Sequence, residues 1–517
     1  MLLKQLKAEI ESILADDKNL STVELIEKNS VQVDRKNIYF IFNHQGTRQL
    51  GVLENRLTVG DFSATDQVDY DNQTLLIGDL NEQNLHALEK RFTWLKPTSR
   101  HGYKYTFGLG DRLGLAGDAH LQLFKGRGIF PVLAQQSIRE LLLTGRTFTS
   151  VLQSAEWSVF SQGYKDGWGA DGDHVKTPYE VDYAVKTGFT MITLDCTEKI
   201  HNEIAELSEE NRKARFAKLS TAQKNYFEET YLNKTFSLDN GLKVHFSEKD
   251  LQESVLIFYD AVLFAETIFH QFVQPYNLDF EVSMDETIVP TTPANHYFFA
   301  NELAAKKVAV ETLAPKFYGE FQKAIDYIGE LGRFEEEYAV HEAIAEHFDY
   351  RLSIHSGSDK LSVYPIIGKI SHNHGWHVKT AGTNWLEALK VIAIKDPELM
   401  KEIYTFSYEN LADVKSFYEF KATQETAPKP DSVALKDVYQ LLLDDDPRQV
   451  LHTMYGSILN IQENYQYVYR DRFFKVLNAN LDLYQEMLNL HLAKHLDLLQ
   501  GLAKDKEEVL AKYNYKK

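Results

Sequence analysis

Between residue 101 and about residue 395 the chain repeats one pattern: a short apolar or β-branched run ending in Gly, Asp, His or Lys, followed by a stretch with helical spacing. The runs fall at 103–110, 128–136, 167–173, 189–195, 279–286, 307–313, 350–357 and 376–382. Strands that alternate with helices cannot pair as tight hairpins. Each must cross over to a parallel neighbour, so the pattern demands a parallel sheet covered by helices. Eight such units close most economically as a (β/α)8 TIM-type barrel, an α/β fold, with an open doubly wound sheet as the alternative.

The rhythm breaks once. Residues 197–277 form a long, polar, largely helical insertion between the fourth and fifth strands, expected at the catalytic face, with a lid as one role open to it. The segment 319–348 reads as one helix between the sixth and seventh strands. Residues 1–95 read as an N-terminal α+β extension: an amphipathic helix, the β-prone runs NIYFIF and TLLIGDL, and a closing helix in NEQNLHALEKRFTWL. The barrel is expected over 96–395, and residues 396–517 as a C-terminal helical segment that caps it or forms a homo-oligomer interface.

Composition narrows the function. A formal charge of −19 without a long Lys/Arg run disfavours nucleic acid, whose phosphates are met by clustered positive charge. The apolar run 254–269 is interrupted by Asp260 and Glu266, so no membrane span is expected. MLLKQLKAEIESIL lacks the pattern of a secretory signal, and the single Cys196 forms no internal disulfide, so the expected compartment is the cytoplasm. An anionic substrate would have to be met by a few local cations.

In a barrel enzyme the reactive groups project from the C-terminal ends of the strands, where the βα loops converge. Asp171, Asp173 and His174 end the third run, offering two in-phase carboxylates and an imidazole for a divalent cation or a proton; a turn capping the next helix is the alternative, although Thr177 already serves as a possible cap. Asp285 and Glu286 end the fifth, and Glu311 lies in the sixth; ion pairing with Arg or Lys is the structural alternative for these. His355 ends the seventh, beside Gly357, which leaves room for a ligand; a structural His bonded to a carbonyl is the alternative. SGSDK resembles an anion-holding loop, with Lys360 joined by Arg112, Arg127 and Lys379 as a basic pocket.

FGLGDRLGLA, RGIFPVLAQQSIREL, GYKDGWGADGDHVKTP, GFTMITLD, RLSIHSGSDKLSVYP and HVKTAGTNWLEAL together resemble the tagaturonate epimerase family of hexuronate catabolism, over residues 100 to 400. The resemblance implies a metal-dependent cytoplasmic isomerase that interconverts the keto-hexuronates D-tagaturonate and D-fructuronate, with a divalent cation such as Zn, Mn or Mg. Two routes are open: proton removal and return on opposite faces, or retro-aldol cleavage and re-addition. With that chemistry in view, Asp173 is assigned as proton acceptor and Glu286 as the opposing donor. His174, His355 and Glu311 are assigned to the metal, with Asp285 or His377 in reserve, and Arg112, Lys360, His377 and Lys379 to the substrate. The alternatives are a barrel aldolase using Lys379 as a Schiff base, and a non-catalytic sugar-acid-binding protein.

Overall fold

The eight runs are the eight strands of a closed parallel barrel in the computed structural model, which describes residues 1–515 except 16, 35–36, 56–59, 71, 101, 286 and 415–419. The barrel strands are numbered β1 (Tyr105–Leu109), β2 (Phe130–Ser137), β3 (Gly169–Val175), β4 (Met191–Asp195), β5 (Asp279–Ser283), β6 (Thr312–Ala314), β7 (Arg351–Ile354) and β8 (Trp376–Thr380). Closure is made by β8 pairing with β1 in register Lys379↔Gly108, and β4 with β5 in register Asp195↔Ser283. Five of the strands begin and end inside the predicted runs; β2 and β6 reach one residue past theirs and β3 two.

In β6 the strand forms at the end of its run and one residue beyond it, at Thr312–Ala314, so Glu311 precedes the strand and lies at the opposite end of the barrel from the mouth. There it pairs with Arg100 and lies 4.0 Å from Arg351, which removes it from the metal assignment. The helix expected over 319–348 covers only Leu331–His347. Residues 315–330 are instead a long irregular β6 loop that reaches the mouth of the barrel.

The insertion starts at the mouth, where Thr197 lines a cavity, and its helices lie on the flank of the barrel. Its helix Thr221–Tyr231 packs on the flank through Phe227 and Tyr231 against Phe298, and the Tyr226 and Tyr231 hydroxyls donate to Glu302 near the C-terminal end of helix Pro293–Ala305. Helix Glu248–Ile268 and its continuation to Tyr276 are long and apolar enough to cross a membrane by length and composition; Leu251, Val255, Phe258 and Val262 are buried within the barrel's hydrophobic core.

At the N-terminus a five-stranded antiparallel sheet obeys the period-two rule. Ile38, Phe40 and Phe42 face helix Leu2–Ala15 through Leu6, Ile10 and Ile13, while Tyr39 and Ile41 on the other face merge with the barrel core. Helix Thr383–Lys395, after β8, shares a separate core around Trp385 with the C-terminal helices.

A buried polar fastener joins these helices to the barrel. His491, in helix Leu481–Leu499, lies 3.1 Å from Glu387 and 3.2 Å from Asp359 in the loop after β7, and Arg448 pairs with Asp359 at 3.0 Å. Asp359, His491 and His495 are close enough for a metal, but both nitrogens of His495 are engaged: Nε2 accepts from the Asp359 N–H and Nδ1 donates to the His491 carbonyl. Burial pushes the Glu387 carboxyl up, yet Lys390 at 2.7 Å and His491 outweigh it and hold it down at about 2. A carboxyl with a folded pKa below its unfolded value contributes stability above about pH 4.5 that is lost as pH falls through about 2. The stability gap between wild type and Glu387→Gln is therefore expected to reach a few kcal/mol at neutral pH and to narrow across that window, as read by thermal unfolding against pH.

Candidate active site

The site begins with a strand that loses its alternation. Asp171 and Asp173 are in phase on β3 and both point inward. On a regular strand His174 would face outward, but the β3–β4 register shifts between Gly172 and Val175, and His174 adopts a left-handed φ of 50°. This turn, a conformation that costs a non-glycine residue on the order of 1 kcal/mol, swings the imidazole back to the mouth. Its Nδ1 lies 2.8 Å from Asp173 Oδ1, and its ring is 4.9 Å from that of His355. The following helix is capped by Thr177 with Glu180, so the DGDH residues are not needed as a cap.

Lys379, on β8, reaches across the barrel axis. Its Nζ is 2.7 Å from Asp171, 2.5 Å from Asp173, 3.2 Å from Glu281 and 2.6 Å from the Thr193 hydroxyl. Burial alone would lower its pKa, but the three carboxylates raise it well above the ordinary lysine value. An ammonium held this firmly is the reverse of what a Schiff-base lysine requires. Among the acids, burial lifts Asp171 to about 6 despite Lys379. Asp173 and Glu281 are buried as well, yet Lys379, with His174 for the first and His355 for the second, holds both well below the usual carboxylate range.

Three groups gather beside this network. Ligand atoms of His174, Asp285 and His355 lie within 4.8 Å of one another. His355 Nε2 is 2.7 Å from Glu281, leaving the buried Nδ1 without a well-formed hydrogen bond 3.3 Å from Asp285. Burial would lower the His355 pKa, but Asp285 and Glu281 raise it to about 10. The arrangement fits a divalent cation: two imidazoles are each oriented by a carboxylate on one nitrogen, Asp173 for His174 and Glu281 for His355, and each offers the other nitrogen beside a third carboxylate. A cation there would take the place of the imidazolium proton on His355.

A cavity of about 450 Å³ opens over these residues, lined also by Arg112, Arg139, Lys176, Lys323, Ala324, Gly382 and His452. Asp173, His174, His355 and Lys379 thus meet at the mouth, together with the reserve ligand Asp285, whereas Glu286 lies outside the described residues. Arg112 is in the wall, paired with Glu140 at 2.8 Å and stacked 3.8 Å over Tyr455. Lys360 is not at the mouth: its ammonium is buried and donates to the carbonyls of Gln322, Ile325 and Ser358. Arg127 pairs with Asp497 at 2.9 Å, outside the cavity lining. His377 lies deeper in the barrel, bonded to Thr106 at 2.7 Å, and burial lowers it to about 3 despite Glu281. Gly357 leaves room for the β8 backbone and not for a ligand, since its N–H donates to the Lys379 carbonyl at 3.0 Å.

Sequence reasoning passed over Glu281 and Thr193, which anchor Lys379 and His355. Strand phase was the available signal for Glu281, because it shares the inward parity of Ser283 and Asp285. The cations Arg139, Lys176 and Lys323 were missed too, and Lys323 fell inside a predicted helix.

A closed parallel barrel that concentrates carboxylates, imidazoles and a lysine at the C-terminal ends of its strands is a TIM-barrel enzyme. Residues 27–499 match the family model for tagaturonate epimerase, and the chain belongs to that family of carbohydrate isomerases. A tagaturonate/fructuronate epimerase from Thermotoga maritima is 40% identical over 423 residues, covering 81% of this chain and 86% of the relative. Crystal structures of the fructuronate-tagaturonate epimerase from Cohnella laeviribosi superpose with a TM-score of 0.88 at 36% identity. The form with one glycerol covers 95% of this chain and 99% of that one, and the native form 93% and 98%.

Proposed function

We propose that the protein interconverts D-tagaturonate and D-fructuronate with a divalent cation held by His174, Asp285 and His355, and with Asp173 as the proton-transfer group. The observation that carries this reading is the juxtaposition of that trio with the Lys379–Asp173 pair at the mouth of the barrel. When bound, the cation supplies Lewis acidity at the ketone and neighbouring hydroxyl oxygens.

Like fructose and tagatose, the two keto-acids differ at C4, counted from the ketose end, and the ketone is at C2. A hydrogen on C4 is not acidified by that ketone, so the retro-aldol route is favoured. Asp173 takes the proton of the C4 hydroxyl, the C3–C4 bond breaks, and its electron pair passes into the C2 carbonyl as an enediolate. The C4 aldehyde turns its other face, the bond re-forms, and Asp173 returns the proton. Lys379 holds the Asp173 carboxylate in place and keeps it ionised between turnovers.

The test is conversion of D-tagaturonate by the purified protein with and without EDTA and added Mn²⁺, Zn²⁺ or Mg²⁺. Metal-dependent formation of D-fructuronate is expected, and its absence under every metal would sink the reading. In D₂O the C4 hydrogen is expected to be retained; deuterium at C4 would instead establish direct proton abstraction. His174→Ala is expected to lose bound metal and activity together, measured as metal content after dialysis, and metal retained in full would remove His174 from the ligand set.

A further inference from the structure

The β6 loop is irregular, yet its four successive carbonyls at 322–325 are all engaged from behind. Lys360 Nζ donates to Gln322 O at 2.8 Å and to Ile325 O at 2.7 Å, Gln449 Nε2 to Lys323 O at 3.1 Å, and Arg448 Nε to Ala324 O at 3.0 Å. All three donors are buried, and none of them lines the cavity. Ala324 sits in the left-handed region at a φ of 64°, a conformation that only such over-determination sustains in a residue with a Cβ.

The result of this anchoring faces the reacting groups. Lys323 and Ala324 line the main cavity, and Lys323 also lines a smaller adjoining one of about 300 Å³. Lys323 Nζ donates to the Ser356 hydroxyl at 2.8 Å, one residue beyond His355. With the carbonyl oxygens turned into the protein, the negative ends of four peptide dipoles point away from the mouth, which suits an anion there. In a chain of net charge −19 a rigidly held local cation is what an acidic substrate needs.

We infer that Lys323 is the specificity-determining residue that takes the carboxylate of a sugar acid, and that Lys360, Arg448 and Gln449 are positioning residues that fix the loop bearing it. This rests on the proposed function for the identity of the reaction, but the preference for an acid over a neutral sugar is a separate property of the loop. In the substrate the carboxylate is two carbons beyond C4, and in the cavity wall Lys323 and Ser356 stand next to His355. Arg139 and Lys176 line both cavities too, but Lys176 is tied to Asp195 at 3.3 Å and its side chain is 43% exposed, so it is the less fixed of the two lysines.

Lys323→Met, Lys323→Arg and Arg448→Met are to be compared with wild type in two assays: KM and kcat for D-tagaturonate, and calorimetric binding of D-galactonate against galactitol, its neutral counterpart. Loss of one charge-assisted contact is expected to raise KM about 30-fold with kcat within about threefold, and to abolish the preference for the acid. Lys323→Arg is expected to restore most of it. Arg448→Met is expected to raise KM in the same direction and to add little on top of Lys323→Met. If Lys323→Met keeps both the wild-type KM and the preference for galactonate, the inference is wrong. If wild type prefers the acid, and Lys323→Met abolishes that preference, but tagaturonate is not converted, the inference stands and the reaction assignment falls.

Discussion

Lys379→Met is expected to lower kcat by about 10³-fold and to destabilise the protein by about 3–5 kcal/mol. The size follows from what one ammonium does. It meets Asp171, Asp173, Glu281 and Thr193 within 3.2 Å, in a part of the barrel with almost no solvent contact. Removing it leaves three buried carboxylates with one another for company, and the response is proton uptake by the weakest of them. Asp171, already lifted to about 6, is the first to protonate. A second substitution tests this: Lys379→Met with Asp171→Asn is expected to recover much of the lost stability and none of the activity, as read by denaturant unfolding and turnover. Equal destabilisation in the single and double variants would mean that the charge cluster is not what Lys379 holds together. Borohydride reduction with substrate is expected to leave Lys379 unmodified, because a lysine kept as an ammonium forms no imine.

Asp173→Asn is expected to lower kcat by about 10²–10⁴-fold while bound metal and fold are retained. Asparagine keeps the shape of the side chain and an oxygen for the His174 Nδ1–H, so the imidazole keeps its orientation; only the proposed proton acceptor is lost. Metal content measured after dialysis separates this variant from His174→Ala, in which metal and activity fall together. Loss of metal from Asp173→Asn would make Asp173 a ligand or an orienting group and would move the proton transfer elsewhere. Because Lys379 and His174 hold Asp173 well below the usual carboxylate range, this group stays ionised across the neutral and mildly acid region. Its titration therefore contributes no acid limb to the rate profile there.

The barrel was legible because its signal is repetitive: β-prone runs separated by helical stretches leave few topologies open. Individual residues were legible where they lie at or near the end of a strand, as for Asp173, His355 and Lys379. The errors have physical sources. Glu311 was placed at the mouth because the β6 run contains both KVAVE and TLA, and composition does not say which half pairs with the neighbouring strands. Lys360 was read as an anion-binding group because a lysine in a loop of small residues looks exposed; in the fold its ammonium is buried against three carbonyls. Lys323 was hidden by a helix-like stretch whose first part is held irregular by Lys360, Arg448 and Gln449, two of them more than a hundred residues later in the sequence. On a regular strand His174 would point away from Asp173, and only the bulge after Gly172 brings it back.

The anchoring of the β6 loop by the C-terminal helices also sets an order in time. The carboxylates, imidazoles and lysine at the mouth come from strands complete once β8 has been synthesised, whereas Arg448, Gln449 and His452 follow some seventy residues later. At about 5–20 residues per second, that interval is on the order of several seconds on the ribosome. During it the nascent chain carries the side chains proposed for proton transfer and metal binding but, of the three groups that fix the Lys323 loop, only Lys360. Chemistry is therefore encoded ahead of discrimination along this polypeptide, and a chain released before its last helices would be a barrel with reactive groups and little basis for choosing among sugars.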